Sequence, residues 1–359
     1  MRFLVSQGIY MCLHLKFVRI AGIALSVALG SVNNAFAQIE KLTLNNGVIK
    51  AEITPDIGGR LVSFALRDQP NFLLLADLNT KNTRPQVTPE SDNIGYFGHE
   101  MWVGPQSQWW VHQKLNPKRA AEKAIWPPDP YLILAKNTVL EHSQDRIVLK
   151  SPESSISGVQ MVKAYALVPE RKNSLKLQVR ATNIRKENVA WDLWFNTRVP
   201  SNVLVYVPVA NTADVQQKNM EDAVHAALVY TLSDGILSLD MTLPPAGKVS
   251  RKGKLMIQPS QGWIAGFRDK QAFIIQFPLQ PKSVIHPEQG QVELYNEYNP
   301  NNLEEGLLEM EVHAPYKQLA PKEFMIADET WTLLEYKGPA TRNAHVAFLR
   351  KLAPELGLK

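Results

Sequence analysis

Cysteine is almost missing: Cys12 is the only one in 359 residues. Disulfide frameworks and cysteine-ligated metal sites are therefore excluded, and so is a thiol nucleophile once the segment holding Cys12 is set aside. No two histidines stand at metal-ligand spacing. His99-Glu100 has no second His four residues after the first, so it is not the zinc-protease pattern. Gly-x-Ser-x-Gly elbows, phosphate loops and dinucleotide fingerprints are lacking too. Helical periodicity is scarce, and no internal repeat, low-complexity tract or Gly/Ser-rich linker is found.

Acidic residues are absent before Glu40, whereas Arg2, Lys16 and Arg19 are basic. The apolar run Ile20–Gly30 has eleven residues, short of the about 20 that a membrane span needs. It leads to Ala35-Phe36-Ala37, a small-residue cleavage pattern. Basic, apolar and small in that order is the pattern of a secretory signal peptide, expected over residues 1–37, with translation starting at Met1 or Met11. The expectation is an exported protein, periplasmic or secreted. Without the leader the chain has no cysteine, and its net charge falls from +5 to +2. That balance leaves no nucleic-acid footprint. No further apolar stretch reaches spanning length, and about 320 residues can bury a large core.

What remains reads as strands. Short apolar-alternating runs recur between Gly, Pro, Asn and Asp turns. Lys41–Leu44 and Val48–Ile53 flank Asn45-Asn46-Gly47, a hairpin signal. In Ser174–Ala181, Leu175, Leu177, Val179 and Ala181 share one face while Lys176, Gln178 and Arg180 share the other. Further strands are expected at 59–66, 159–167, 189–197, 204–209, 254–258, 263–267, 272–277, 291–295, 307–313 and 330–336. Helices are expected only at 118–124, 220–227 and 344–352. Many strands and few helices give an all-β sandwich or barrel. One domain is expected over 38–337, followed by a tail with a short helix over 338–359.

Residues 77–130 form one long irregular excursion with seven prolines and four of the eight tryptophans. A loop of that length inside a compact domain is functional or disordered. Trp102, Trp109, Trp110 and Trp126 oppose disorder, so an ordered excursion packed over one sandwich face is expected.

Three stretches, in order, resemble the galactose mutarotase-like (aldose 1-epimerase-like) superfamily. The first is Ile53–Phe64 with Gly58-Gly59-Arg60. The second runs from Gly158–Leu167 through Leu175–Asn183 to Val189–Thr197, which contains Trp194-Phe195-Asn196. The third is Leu308–Pro315 with Glu309, Glu311 and His313, followed by Trp331-Thr332-Leu333. The resemblance covers roughly residues 40–336. The Gly-Gly-Arg stretch and Trp126-Pro127-Pro128-Asp129-Pro130 are similar to an uncharacterised, exported branch. The resemblance implies a large two-sheet β-supersandwich and a catalytic Glu on the late strand. It also implies a His just before a Tyr-Phe-Asn triplet that protonates the sugar ring oxygen. Here Asp192 stands where that His belongs, so the family's acid is not carried over.

The residues themselves point the same way. Alternation along Leu307–His313 puts Glu309, Glu311 and His313 on one face, about 6–7 Å apart. Two carboxylates and an imidazole can do acid/base work under a pocket. An ordinary solvated sheet face has the same pattern. Glu311 is the first choice for the acid/base carboxylate and Glu309 the second, with His99, His313 or Asp192 as the substitute acid. Arg60 after a glycine pair offers a planar fork to hydroxyls or carboxylates, or is a surface Arg beside a turn. Sugars suit pockets that mix aromatic rings with polar groups, which nominates His99, Trp102, Trp126 and Asp129 of the long segment; the resemblance adds Asp192, Trp194 and Asn196. Alternatively, these aromatics form a satellite core under the long loop. No cofactor or metal is expected, and the expected partner is a carbohydrate ligand. Three readings follow: a carbohydrate-binding protein whose fold lost the family's His, an active epimerase-type enzyme with a substitute acid, or a structural or assembly protein of the cell envelope.

Overall fold

The structure, a computed structural model, describes residues 39–76 and 84–358. The expected leader lies outside the described residues. Within them the chain builds two large sheets. In order, the first pairs Leu42–Asn45, Ile49–Thr54, Arg60–Leu66, His99–Gly104, Val189–Val199, Leu307–His313, Val292–Tyr298, Ser250–Ile257 and Val215–Asn219. Short strands Lys317–Leu319 and His225–Ala226 join Val189–Val199 and Ser250–Ile257. The second sheet runs Tyr230–Ser233, Ile236–Leu239, Leu204–Pro208, Trp263–Arg268, Gln271–Gln276, Phe324–Glu335, Ser174–Asn183, Val159–Leu167, Arg146–Lys150 and Thr138–His142. This is the expected all-β two-sheet sandwich.

Local sequence explains the pairing. Asn45-Asn46-Gly47 closes the first hairpin; Gly47 takes φ +80°, and Asn46 Oδ1 accepts from the backbone N–H of Val48 and Ile49. In Ser174–Asn183 the even alternation appears as buried Leu175, Leu177, Val179 and Ala181 against exposed Lys176, Gln178 and Arg180. The apolar faces of both sheets meet in one core that includes Phe64, Phe195, Met310, Phe273 and Trp331. Burial of such a face is the main stabilising term, about 25 cal/mol per Å² of apolar surface.

Three expectations change. The excursion is not wholly irregular, because His99–Gly104 is a strand in the middle of the first sheet, beside Val189–Val199. Residues 220–227 form no helix; His225-Ala226 pairs with Ser250-Arg251 instead. The C-terminal helix is longer than expected, Arg342–Leu356. Thr341 caps its start, Gly357 at φ +64° ends it, and Val346 and Leu349 pack beside Trp263 and Phe267.

Candidate functional site

Six neighbouring strands of the first sheet, from His99–Gly104 to Val215–Asn219, present one polar face. Register sets Glu311 opposite Asn196 and Glu293, Glu309 opposite Arg198 and Tyr295, and His313 opposite Trp194. Trp102 lies opposite Trp194, and Lys254 opposite Tyr295 on one side and Lys218 on the other. Because side chains alternate, these residues share a face while Leu308, Met310, Val312 and Phe195 go into the core.

Over this face lie two adjoining pockets of about 520 and 540 Å³ that share Gln106, Trp194, Lys218 and Lys254. The excursion supplies one wall. Trp126 is half exposed at its rim, and its ring stands edge-on to Trp102 at 6.1 Å. Trp102 meets Trp194 at 4.8 Å, and Trp109 stacks on Trp194 at 5.8 Å. Of these four indoles, Trp102, Trp109 and Trp194 are buried and Trp126 is half exposed.

The floor is a connected set of charges. Glu100 takes both Arg60 and Arg198. Arg198 Nε also donates to Glu309 Oε1 at 2.7 Å, and its guanidinium lies over Trp102. Lys254 Nζ sits 2.5 Å from Glu293 and 2.8 Å from Glu311. Trp194 Nε1 and Asn196 Nδ2 both donate to Glu311 Oε1, at 3.1 and 2.9 Å. Beneath Trp194, His313 Nδ1 is 3.2 Å from Asp192 Oδ2, and Nε2 is 3.7 Å from Glu293 Oε1.

Protonation follows from these partners. Burial works against the His313 imidazolium, but Asp192 and Glu293 raise it to about 9. Burial opposes ionisation of Glu293 too, yet two cations, Lys254 and His313, hold its carboxyl well below the usual range. Glu311 has only Lys254 and lies near Glu309 and Glu293; burial and those like charges raise it. Of the two carboxyls that share Lys254, Glu311 is the one that takes a proton more readily.

The structure gathers Glu309, Glu311, Trp102, Trp126 and Trp194 around the cleft, with Asn196, Asp192 and His313 directly beneath it. Three expected residues are elsewhere. His99 is on the opposite face, because an odd position on its strand faces the core. It bonds Thr197 Oγ1 at 3.0 Å and packs on the Trp331 ring at 4.9 Å. Arg60 is fully buried, not a surface Arg, and lines neither pocket. It holds Glu100 and the carbonyls of Phe97 and Ile133. Asp129 is buried as the cap of the short helix Pro130–Ile133 and accepts from Ser154 and Ser157. Sequence reasoning missed Arg198, Glu293, Tyr295 and Lys254. The signal was present: Arg198 continues the alternation of Trp194 and Asn196, and Glu293-Tyr295-Glu297 and Lys252-Lys254 alternate likewise.

Residues 39–334 match the profile of DUF4380, described as a domain of unknown function. The chain belongs to the DUF4380 family. Its fold is the galactose mutarotase-like β-sandwich. Slr1438 from Synechocystis sp. PCC 6803 superposes with a TM-score of 0.54 at 12% identity, over 83% of this chain and 96% of that one. A galactose mutarotase-like protein from Lactobacillus casei ATCC 334 gives 0.51 at 12% identity, over 82% and 100%. A Klebsiella pneumoniae protein provisionally described as an aldose 1-epimerase gives 0.52 at 14% identity, over 85% and 80%. Among curated proteins none matches this DUF4380 chain. At such identities the likeness speaks for the fold alone.

Proposed function

We propose that this DUF4380 chain is an exported carbohydrate-binding protein. The observation that carries the reading is the composition of the cleft wall. It combines a half-exposed Trp126, Trp194 and Tyr295 with Arg198, Glu309, Lys254 and Glu311, and no imidazole lines either pocket. Aromatic faces suit the C–H faces of a sugar ring, and preset polar groups suit its hydroxyls. Partners already fix Arg198, Glu309, Lys254 and Glu311, so little order has to be created on binding. The basic, apolar, small-residue leader supports export.

A second reading, an epimerase-type enzyme, has one observation in favour: Glu311 is a buried carboxyl with a raised pKa on the cleft wall. A general base is most effective with a pKa near the working pH. The acid partner opposes it, because His313 has no exposed surface and is covered by Trp194 at 4.7 Å. The aromatic cleft speaks against a purely structural role in the envelope.

Titration of the purified protein with neutral and acidic saccharides, followed by tryptophan emission and calorimetry, tests binding. Polarimetry on several aldoses tests catalysis. Saturable binding without faster anomer exchange is expected; no binding to any saccharide overturns the reading.

A further inference from the structure

We propose that the saccharide is acidic, and that Lys218 seats its anionic group in the pocket bounded by Trp126 and Tyr295. This inference rests on the carbohydrate-binding reading and names the ligand class within it.

The wall of the 520 Å³ pocket carries four cations, Arg198, Lys218, Lys252 and Lys254. Three of them are already matched inside the protein. Arg198 is held by Glu100 and Glu309, and Lys254 by Glu293 and Glu311. Lys252 is 2.5 Å from Glu297, whose other bond comes from the Tyr295 hydroxyl. The pocket's three carboxylates, Glu297, Glu309 and Glu311, are the ones these cations use. Lys218 has no carboxylate within ion-pair distance among the described residues, and its side chain is exposed.

Its position makes that unusual. Lys218 is directly opposite Lys254 in the antiparallel pair of Val215–Asn219 with Ser250–Ile257. Both side chains reach the shared boundary of the two pockets. Like charges directly opposite on one sheet face are destabilising. An edge strand exposed to water has other positions for a lysine, and here it is turned into a cleft. An anion placed against Lys218 converts the repulsion into a favourable contact. The neighbouring pocket has Glu288 on its wall, which repels a negative group and leaves the Lys218 pocket as its place. Tyr295 and Trp126 line the same pocket and offer ring faces to the sugar that bears the group.

A carboxylate, as in a hexuronic acid, and a sulfate ester present the same charge, and the test separates them. The purified protein is titrated with three linkage-matched trisaccharides: a hexuronic acid trimer, a sulfated hexose trimer and a neutral hexose trimer. Either acidic trimer is expected to bind about tenfold tighter than the neutral one, the size of a charge-assisted bond. The tighter of the two names the group. The preference should shrink as salt rises. In Lys218→Gln the acidic-to-neutral ratio should fall towards one, and Lys218→Arg should restore it. Equal or tighter binding of the neutral trimer, or an unchanged ratio in Lys218→Gln, overturns the inference and leaves carbohydrate binding standing. No binding by any of the three overturns both. Lys218 is exposed on an edge strand, so a folding defect in Lys218→Gln is not expected; circular dichroism checks this.

Discussion

His313 and Asp192 are joined across neighbouring strands, Nδ1 to Oδ2 at 3.2 Å, with neither residue reaching solvent. The late strand Leu307–His313 thus brings an imidazole against a carboxylate of the neighbouring strand Val189–Val199. The imidazole is a cation held between Asp192 and Glu293, beneath Trp194 of the aromatic wall.

That lock makes stability depend on pH. The folded pKa of His313, about 9, lies above the about 6.5 of an unfolded chain. A raised value adds stability that is fully present below the unfolded pKa and is lost as pH rises through the folded one. The window is therefore pH 6.5 to 9, and the full contribution is about 3 kcal/mol. Denaturant titrations at steps across this window should show stability falling with pH in the wild type. His313→Gln should be less stable at neutral pH by about 3–5 kcal/mol, because Asp192 and Glu293 lose a buried partner, and its slope should be flatter. Parallel curves for the two proteins would refute the assignment.

Glu311→Gln separates binding from catalysis. A glutamine Oε1 still accepts from Trp194 and Asn196, and Lys254 keeps Glu293. Weaker saccharide binding by about tenfold is expected, with anomer exchange in polarimetry equal for both proteins. A faster wild-type rate that Glu311→Gln abolishes would instead establish the enzyme reading.

Trp126→Ala should cut saccharide affinity about three- to tenfold, the scale of one aromatic face. Its side chain is half exposed, so unfolding free energy should change by less than about 0.5 kcal/mol. Loss of stability with unchanged affinity would place Trp126 in the packing of the excursion only.

Arg60→Ala should do the reverse. Arg60 is buried against Glu100 and does not line the cleft. Removing it strands one end of that carboxylate, and a loss of about 3–5 kcal/mol is expected. If the variant folds, its saccharide affinity at low temperature should stay within about twofold. A large affinity loss in a folded variant would return Arg60 to the ligand.

How far this was legible depended on whether a strand shows two different faces. Leu307–His313 alternates cleanly, and its polar row lies where alternation put it. His99–Gly104 is buried on every residue, because the sandwich core covers one side and the tryptophan-rich excursion the other. It therefore carries no period-two signal and reads as loop. His99 was nominated by chemistry without a register, and the register sends it to the core. Arg198 and Lys254 escaped notice because a lone cation on a strand looks like a solvated one until its cross-strand partners are known. The Gly58-Gly59 turn was legible as a turn, with φ +67° and +59°. That the next residue points inward is a tertiary fact.

The stacked indoles have an optical meaning. Trp102, Trp109 and Trp194 lie within 6 Å of one another, and Trp126 touches this group from the solvent side. Excitation absorbed by any of them can pass to the others, so the emission of half the protein's tryptophans is tied to whatever covers Trp126. The cleft is its own fluorometer, and a ligand of unknown identity can be sought in mixtures by loss of acrylamide quenching without labelling anything.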